Sequence, residues 1–220
     1  MVMAEATNHY FKHLGVSDGL SQVCIPSIYQ DELGAVWLGT TEGLNRYNGK
    51  DVKVFQPSES NHGLTNNEIN ELCGDKNGRM YIRSGNDLIK LDIYTEQFTC
   101  LRQKGVYGLF CKKDTLWVSC ADGIYYYTGQ GTELTFFARV QKGFVGRALY
   151  VDKETVWVVT RKYLVAISRE DPLRQEILLT LDKGNCILGD SSGNIWVGAW
   201  NGLYRISPNR ETTAYVSHSG

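Results

Sequence analysis

Short apolar runs rich in β-branched and aromatic residues follow one another along the chain, and each is closed by a turn of Gly, Asp, Asn or Lys. No segment keeps a helical period over three turns, so no helix is available for a parallel crossover and the strands are expected to pair antiparallel. The second copy of the pattern shows the unit plainly. Ile69 to Cys73, Met80 to Arg83, Leu88 to Asp92 and Gln97 to Leu101 read as four strands, A to D.

Strand B holds one large aromatic and recurs as Trp37, Tyr81, Trp117, Trp157 and Trp196. These residues stand 44, 36, 40 and 39 positions apart, a length that a four-stranded propeller blade occupies. A turn precedes the aromatic, as Asp31 to Gly34, Asp75 to Gly78 and Asp190 to Gly193, with shorter polar turns at Lys113-Asp114 and Lys153-Glu154. A second turn follows it, as Glu42-Gly43, Asn86-Asp87, Asp122-Gly123, Lys162-Tyr163 and Asn201-Gly202. A β-sandwich also has glycine-rich turns, but it has no reason to repeat its sequence at a fixed period.

The expected fold is therefore all-β, a β-propeller of five four-stranded antiparallel blades forming one domain or fragment over residues 1–220. Its units fall at about 22–56, 66–102, 105–140, 145–181 and 184–217. One large side chain per blade fills the space between neighbours, so the five aromatics are given a structural role. Residues 9–14 read as an orphan outer strand, because Tyr10 to Leu14 sits before unit one as Val52 to Phe55 sits before unit two. Thr213 to Ser217 supplies a D strand for unit five, so two D strands compete for one place. The expectation is an incomplete ring, five blades of about seven, with a closed five-bladed ring as the alternative. An open arc leaves apolar blade faces for self-association or for the remaining blades of a parent propeller.

Composition narrows the function classes. With 42% hydrophobic residues among 220, the chain can bury a sizeable core. Its 23 basic and 24 acidic side chains give no cluster for neutralising phosphates, so no nucleic-acid partner is expected. No apolar run is long enough to cross a bilayer, so no membrane insertion by this segment is expected, and the first residues lack a leader pattern. The six cysteines, Cys24, Cys73, Cys100, Cys111, Cys120 and Cys186, form no CxxC pair and are expected mostly as buried free thiols.

Catalytic and metal patterns are absent as well. His9 and His13 lack the helix and the intervening Glu of a zinc motif, and Gly129-Gln130-Gly131 lacks the third glycine of a dinucleotide loop. The DKNG and DSSG turns misplace the glycine of a calcium loop, and no carboxylates stand out as an acid and base pair. The sequence thus predicts no cofactor, no metal and no catalytic residues.

The repeated phrase resembles the two-component regulator propeller repeat. Unit one carries it from Gly19 to Gly49 in Gly19-Leu20-Ser21, Gln30-Asp31, Gly34, Trp37, Gly39-Thr40, Gly43-Leu44 and Tyr47. Unit two repeats the opening at Gly63-Leu64-Thr65, and unit five repeats the close from Asp190 to Ile206. The resemblance implies a periplasmic sensor of the hybrid two-component kind, in which propellers precede a β-sandwich, a membrane helix, a histidine kinase and a response regulator. It also implies an oligosaccharide ligand from dietary or host glycans. None of the downstream modules is in this sequence.

A ligand site is expected where B–C turns and D–A connections gather, because loops on a rigid scaffold carry binding residues. Those loops hold Arg83, Asn86, Asp122, Arg147, Arg161, Tyr163, Asn185, Trp200 and Asn201. Trp200 is the sharpest candidate, since unit one has Thr41 in its place and the repeat needs no aromatic there. An exposed indole beside Asn and Arg suits a sugar, whose ring face stacks while its hydroxyls bond to amide and guanidinium. The alternatives are an interaction or dimerisation propeller with no small-molecule site and, behind it, a propeller enzyme acting on glycans.

Overall fold

The computed structural model describes residues 12–57, 63–102 and 104–215, and these form twenty strands in five four-stranded sheets. Sheet one is β1 (Ser27–Gln30), β2 (Val36–Thr40), β3 (Gly43–Tyr47) and β4 (Val52–Phe55). Sheet two is β5 (Ile69–Gly74), β6 (Arg79–Ser84), β7 (Asp87–Asp92) and β8 (Gln97–Arg102). Sheet three is β9 (Val106–Lys112), β10 (Thr115–Cys120), β11 (Gly123–Tyr127) and β12 (Thr135–Ala138). Sheet four is β13 (Gly146–Val151), β14 (Thr155–Thr160), β15 (Tyr163–Ser168) and β16 (Gln175–Thr180). Sheet five is β17 (Cys186–Gly189), β18 (Ile195–Ala199), β19 (Gly202–Ile206) and β20 (Thr212–Tyr215).

Every strand pairs antiparallel with its chain neighbour, so each sheet is a meander, and no α-helix occurs among the described residues. The strands expected in unit two fall on β5 to β8 within a residue. The second and third strands of a sheet are joined by a two-residue turn, as the pairings Thr40 with Gly43, Cys120 with Gly123 and Ala199 with Gly202 show.

Packing between sheets follows from the aromatic positions. Trp37 joins a core cluster with sheet two, Tyr81 with sheet three, Trp117 with sheet four and Trp157 with sheet five. All four are at most 6% exposed. Burying such side chains contributes about 1.5–3 kcal/mol each. Trp196 differs: it is only half-buried, against Tyr215 of its own sheet, and among the described residues no cluster joins sheet five to sheet one. Among the described residues the five sheets thus share four such core interfaces.

Two expectations need correction. The orphan strand at 9–14 lies partly outside the described residues, and its described part, 12–14, is not in a strand; instead Lys12 Nζ donates to the Tyr47 hydroxyl at 3.0 Å. The cysteines are less uniform than expected. Only Cys120 is fully buried, Cys24 and Cys186 are exposed, and Cys73 and Cys111 touch each other across sheets two and three. Polarity alone cannot place them, because a thiol suits either environment.

Candidate functional site

The two-residue turns joining second and third strands lie at 41–42, 85–86, 121–122, 161–162 and 200–201, at the same end of every sheet as the links that enter the next first strand. Backbone hydrogen bonds stitch turn to link. Gly85 N–H donates to Glu68 O at 2.7 Å, Ala121 N–H to Gly105 O at 2.8 Å and Trp200 N–H to Asp182 O at 2.8 Å. The link before sheet five is held on both sides, since Leu181 N–H also donates to Lys162 O and Gly184 N–H to Arg161 O. Gly184 permits this approach: a Cβ there would lie 2.4 Å from Thr160 O. The turn at 161–162 is fixed in addition by Thr160, whose hydroxyl accepts from Tyr163 N–H at 2.9 Å.

Arg161 and Trp200 occupy the same turn position in consecutive sheets, so they stand side by side above the link. They share a hollow of about 430 Å³ with Arg147, Lys183, Gly184, Asn185, Cys186, Gly198 and Ala199. A second hollow of about 610 Å³ adjoins it through Arg147, Asn185 and Cys186, and is bounded by the first strands of all five sheets. Arg83, Asn86, Asn70 and Glu71 also line it. Six of the expected residues, Arg83, Asn86, Arg147, Arg161, Asn185 and Trp200, therefore line one continuous concavity at the turn end of the propeller.

The other three expected residues are committed elsewhere. Tyr163 packs against Phe144, with ring centroids 4.8 Å apart and the planes tilted by 43°. Asn201 donates through Nδ2 to the Tyr204 hydroxyl at 2.7 Å and accepts from Asp182 N–H at 3.2 Å. Both make local contacts instead, as turn residues often do. Asp122 is likewise engaged, accepting from Arg102 at 2.8 Å and from the Tyr125 hydroxyl at 2.9 Å.

Within the concavity the charges differ in freedom. Arg83 is paired with Glu71 at 3.3 Å. Burial pushes the Glu71 carboxyl up from its ordinary value, while the neighbouring Arg83 pulls it back. Asn70 Oδ1 is buried there with no hydrogen-bond partner among the described residues. Trp200 is 77% exposed, with Lys183 Nζ over its ring at 4.6 Å. Lys183 was not expected from sequence, because nothing in the repeat marks a residue of the link as facing the turn.

A larger hollow of about 800 Å³ lies at the opposite end, between sheets four and five. Lys153, Arg169, Arg174 and Arg210 are interspersed there with Glu154, Glu170 and Glu176, so most of its charge is balanced within it. Among the described residues no group of three or more His, Cys, Asp or Glu stands together as a metal site, and no helix is long and apolar enough to cross a membrane.

Comparison with known proteins agrees with this architecture. Residues 19–42 match the family described as two component regulator propeller. Histidine kinase P4 of Formosa agariphila is 40% identical over 53 residues, 24% of this chain and 4% of that protein. The extracellular domain of a Bacteroides thetaiotaomicron protein assigned as a hybrid two component system superposes with a TM-score of 0.80 at 23% identity, over 93% of this chain and 32% of that one. An enzyme shares the fold too: virginiamycin B lyase from Staphylococcus aureus has a TM-score of 0.68 at 13% identity, over 90% of this chain and 71% of that one. The chain thus spans about a third of the extracellular domain it superposes on and a small part of the kinase. The five sheets and these likenesses give the chain a β-propeller fold, and its residues 19–42 match the two component regulator propeller family.

Proposed function

We propose that the chain is part of the ligand-input propeller of an extracytoplasmic sensor, and that it binds an oligosaccharide in the concavity beside Trp200. The observation that carries this reading is an indole left 77% exposed at the rim of a hollow whose floor is tied down by backbone hydrogen bonds. An exposed tryptophan on a rigid rim loses little entropy on stacking against a sugar ring, and Asn185 with the arginines offers donors to hydroxyls. The likeness in fold to an extracellular sensor domain supports the placement outside the cytoplasm.

Calorimetric titration against a panel of oligosaccharides tests it. At least one sugar is expected to bind, with Trp200→Ala weakening it about tenfold or more, as the loss of one stacking contact does. No heat with any sugar, or an affinity unmoved by Trp200→Ala, overturns the reading.

A second reading rests on the outer face of sheet five. Leu188, Leu203 and Tyr215 are exposed there beside half-buried Trp196, on the side that sheets one to four bury against a neighbour. This face supports self-association between copies. Sedimentation velocity is expected to show a dimer that Leu203→Lys dissociates; a monomer at all concentrations overturns it.

A further inference from the structure

In a chain with a formal net charge of −1, Arg46, Arg79, Arg83, Arg102 and Arg210 each hold a carboxylate. Arg147 and Arg161 do not: among the described residues their side chains have no hydrogen-bond or ion-pair partner. Arginines without a carboxylate occur elsewhere too, since Arg139 and Arg174 have no side-chain partner among the described residues, but in the concavity two of them face one hollow together. Lys183, the third cation of the smaller hollow, rests only on the Trp200 ring. No Asp or Glu lines that hollow, and the carboxylate nearest in the adjoining one, Glu71, is already paired with Arg83. Three cations facing one hollow repel each other, and solvent alone offsets that repulsion. A bound anionic group would remove it and gain charge-assisted hydrogen bonds from two guanidinium forks.

We infer that the ligand of this site is an acidic saccharide, whose carboxylate or sulfate lies between Arg147, Arg161 and Lys183 while a ring of the same sugar stacks on Trp200. This rests on the proposed sugar-binding role of the concavity and specifies its ligand class. A neutral sugar would leave the three charges unmatched. A bare anion would leave the indole uncovered.

Titration with three probes tests it: neutral hexose oligomers, oligomers of a uronic acid or a sulfated hexosamine, and inorganic sulfate. The acidic oligomers are expected to bind, with affinity falling as sodium chloride rises and dropping about tenfold in Arg161→Gln and in Arg147→Gln. Comparing the uronate with the sulfated oligomer tells which anion the site takes. Equal binding of neutral oligomers overturns the acidic assignment but leaves the sugar-binding role standing. Inorganic sulfate bound as tightly as the sulfated oligomer overturns the saccharide part. No binding of any oligomer removes both the assignment and the role beneath it.

A separate observation concerns Cys73 on β5 and Cys111 on β9. Their Sγ atoms are 2.8 Å apart, inside ordinary van der Waals contact, on the first strands of adjoining sheets. We propose that they form a disulfide clasping sheets two and three. Both S–H bonds are lost, one Sγ–Sγ bond forms, and two protons and two electrons pass to a disulfide-bearing oxidant that leaves as two thiols. The test is to treat the folded chain with oxidised glutathione, unfold it, alkylate the remaining thiols and map the peptides. A peptide joining Cys73 to Cys111 is expected, with a higher melting temperature than Cys73→Ser under the same conditions. Alkylation of both residues, or glutathione adducts in place of the crosslink, overturns it.

Discussion

The turn aspartates do more than shape turns. Asp31 accepts from Leu33 and Ala35 N–H through Oδ1, and through Oδ2 from Trp37 Nε1 at 2.7 Å. Asp152 holds Trp157 Nε1 at 2.6 Å and Asp190 holds Trp196 Nε1 at 2.9 Å in the same way. Each aspartate therefore satisfies the one polar group of an aromatic placed between sheets. In sheet two Tyr81 replaces the tryptophan; its hydroxyl is buried without a partner, and Asp75 pairs with Arg79 instead. Asp31→Ala should cost about 1–3 kcal/mol, since the buried indole N–H and two turn amides lose their acceptor together. Chemical denaturation against the wild type measures it, and a change within error contradicts the account.

The same bonds set a pH response. The indole N–H of Trp196, and after it the Asn194 amide, hold the Asp190 carboxyl down to about 2. A folded-state value below the unfolded one gives stability that is full above the ordinary carboxylate range, near pH 4, and lost as the pH falls toward 2. Asp190→Asn should therefore melt below the wild type at pH 7, with the gap closing between pH 4 and 2. A gap of constant size across that range contradicts the assignment. The sequence held a sign of this pairing, because Asp31, Asp75 and Asp190 each stand six residues before their aromatic. The turn reading explained the aspartate fully enough that its second partner went unread.

The four-strand unit was legible because each strand is short, turn-bounded and repeated, so errors in one copy are corrected by the others. Less legible was how closely the sheets approach. Gly39 belongs to the repeated phrase, yet nothing in the phrase says why. A Cβ at Gly39 would lie 2.8 Å from Ile69 Cγ2 and 2.9 Å from Ile69 O, so β2 and β5 can meet only across a bare backbone. Gly39→Ala should destabilise the chain by about 1–3 kcal/mol, by forcing two strands apart rather than by strain in its own dihedrals. Thermal melting checks this, and a neutral substitution would show that the two sheets have slack. The cysteine contact was out of reach for a related reason. Cys73 pairs with the aromatic Tyr81 while Cys111 lies one place beyond Phe110, the partner of Trp117, so the repeat does not align the two and their contact depends on how the sheets pack.

For the molecule as a whole, topology says more than residue type about which expected residues come together. Six of the nine expected loop residues line one concavity because turns and links of every sheet gather at one end, which the repeat already implies. Tyr163 and Asn201 stand apart from that concavity, because a turn residue's own contacts decide whether it faces out or in, and here those contacts are with Phe144 and Tyr204. Lys183 was missed because it stands in a link that varies in length between units. The account converges on the rim where Trp200, Arg161 and Arg147 meet. A crystal structure of the chain with an acidic oligosaccharide tests that most directly. A sugar ring should lie against the Trp200 indole, with its carboxylate or sulfate within hydrogen-bond distance of Arg161 and Arg147. A sugar bound in the mixed-charge hollow at the opposite end, or nowhere on the propeller, would contradict it.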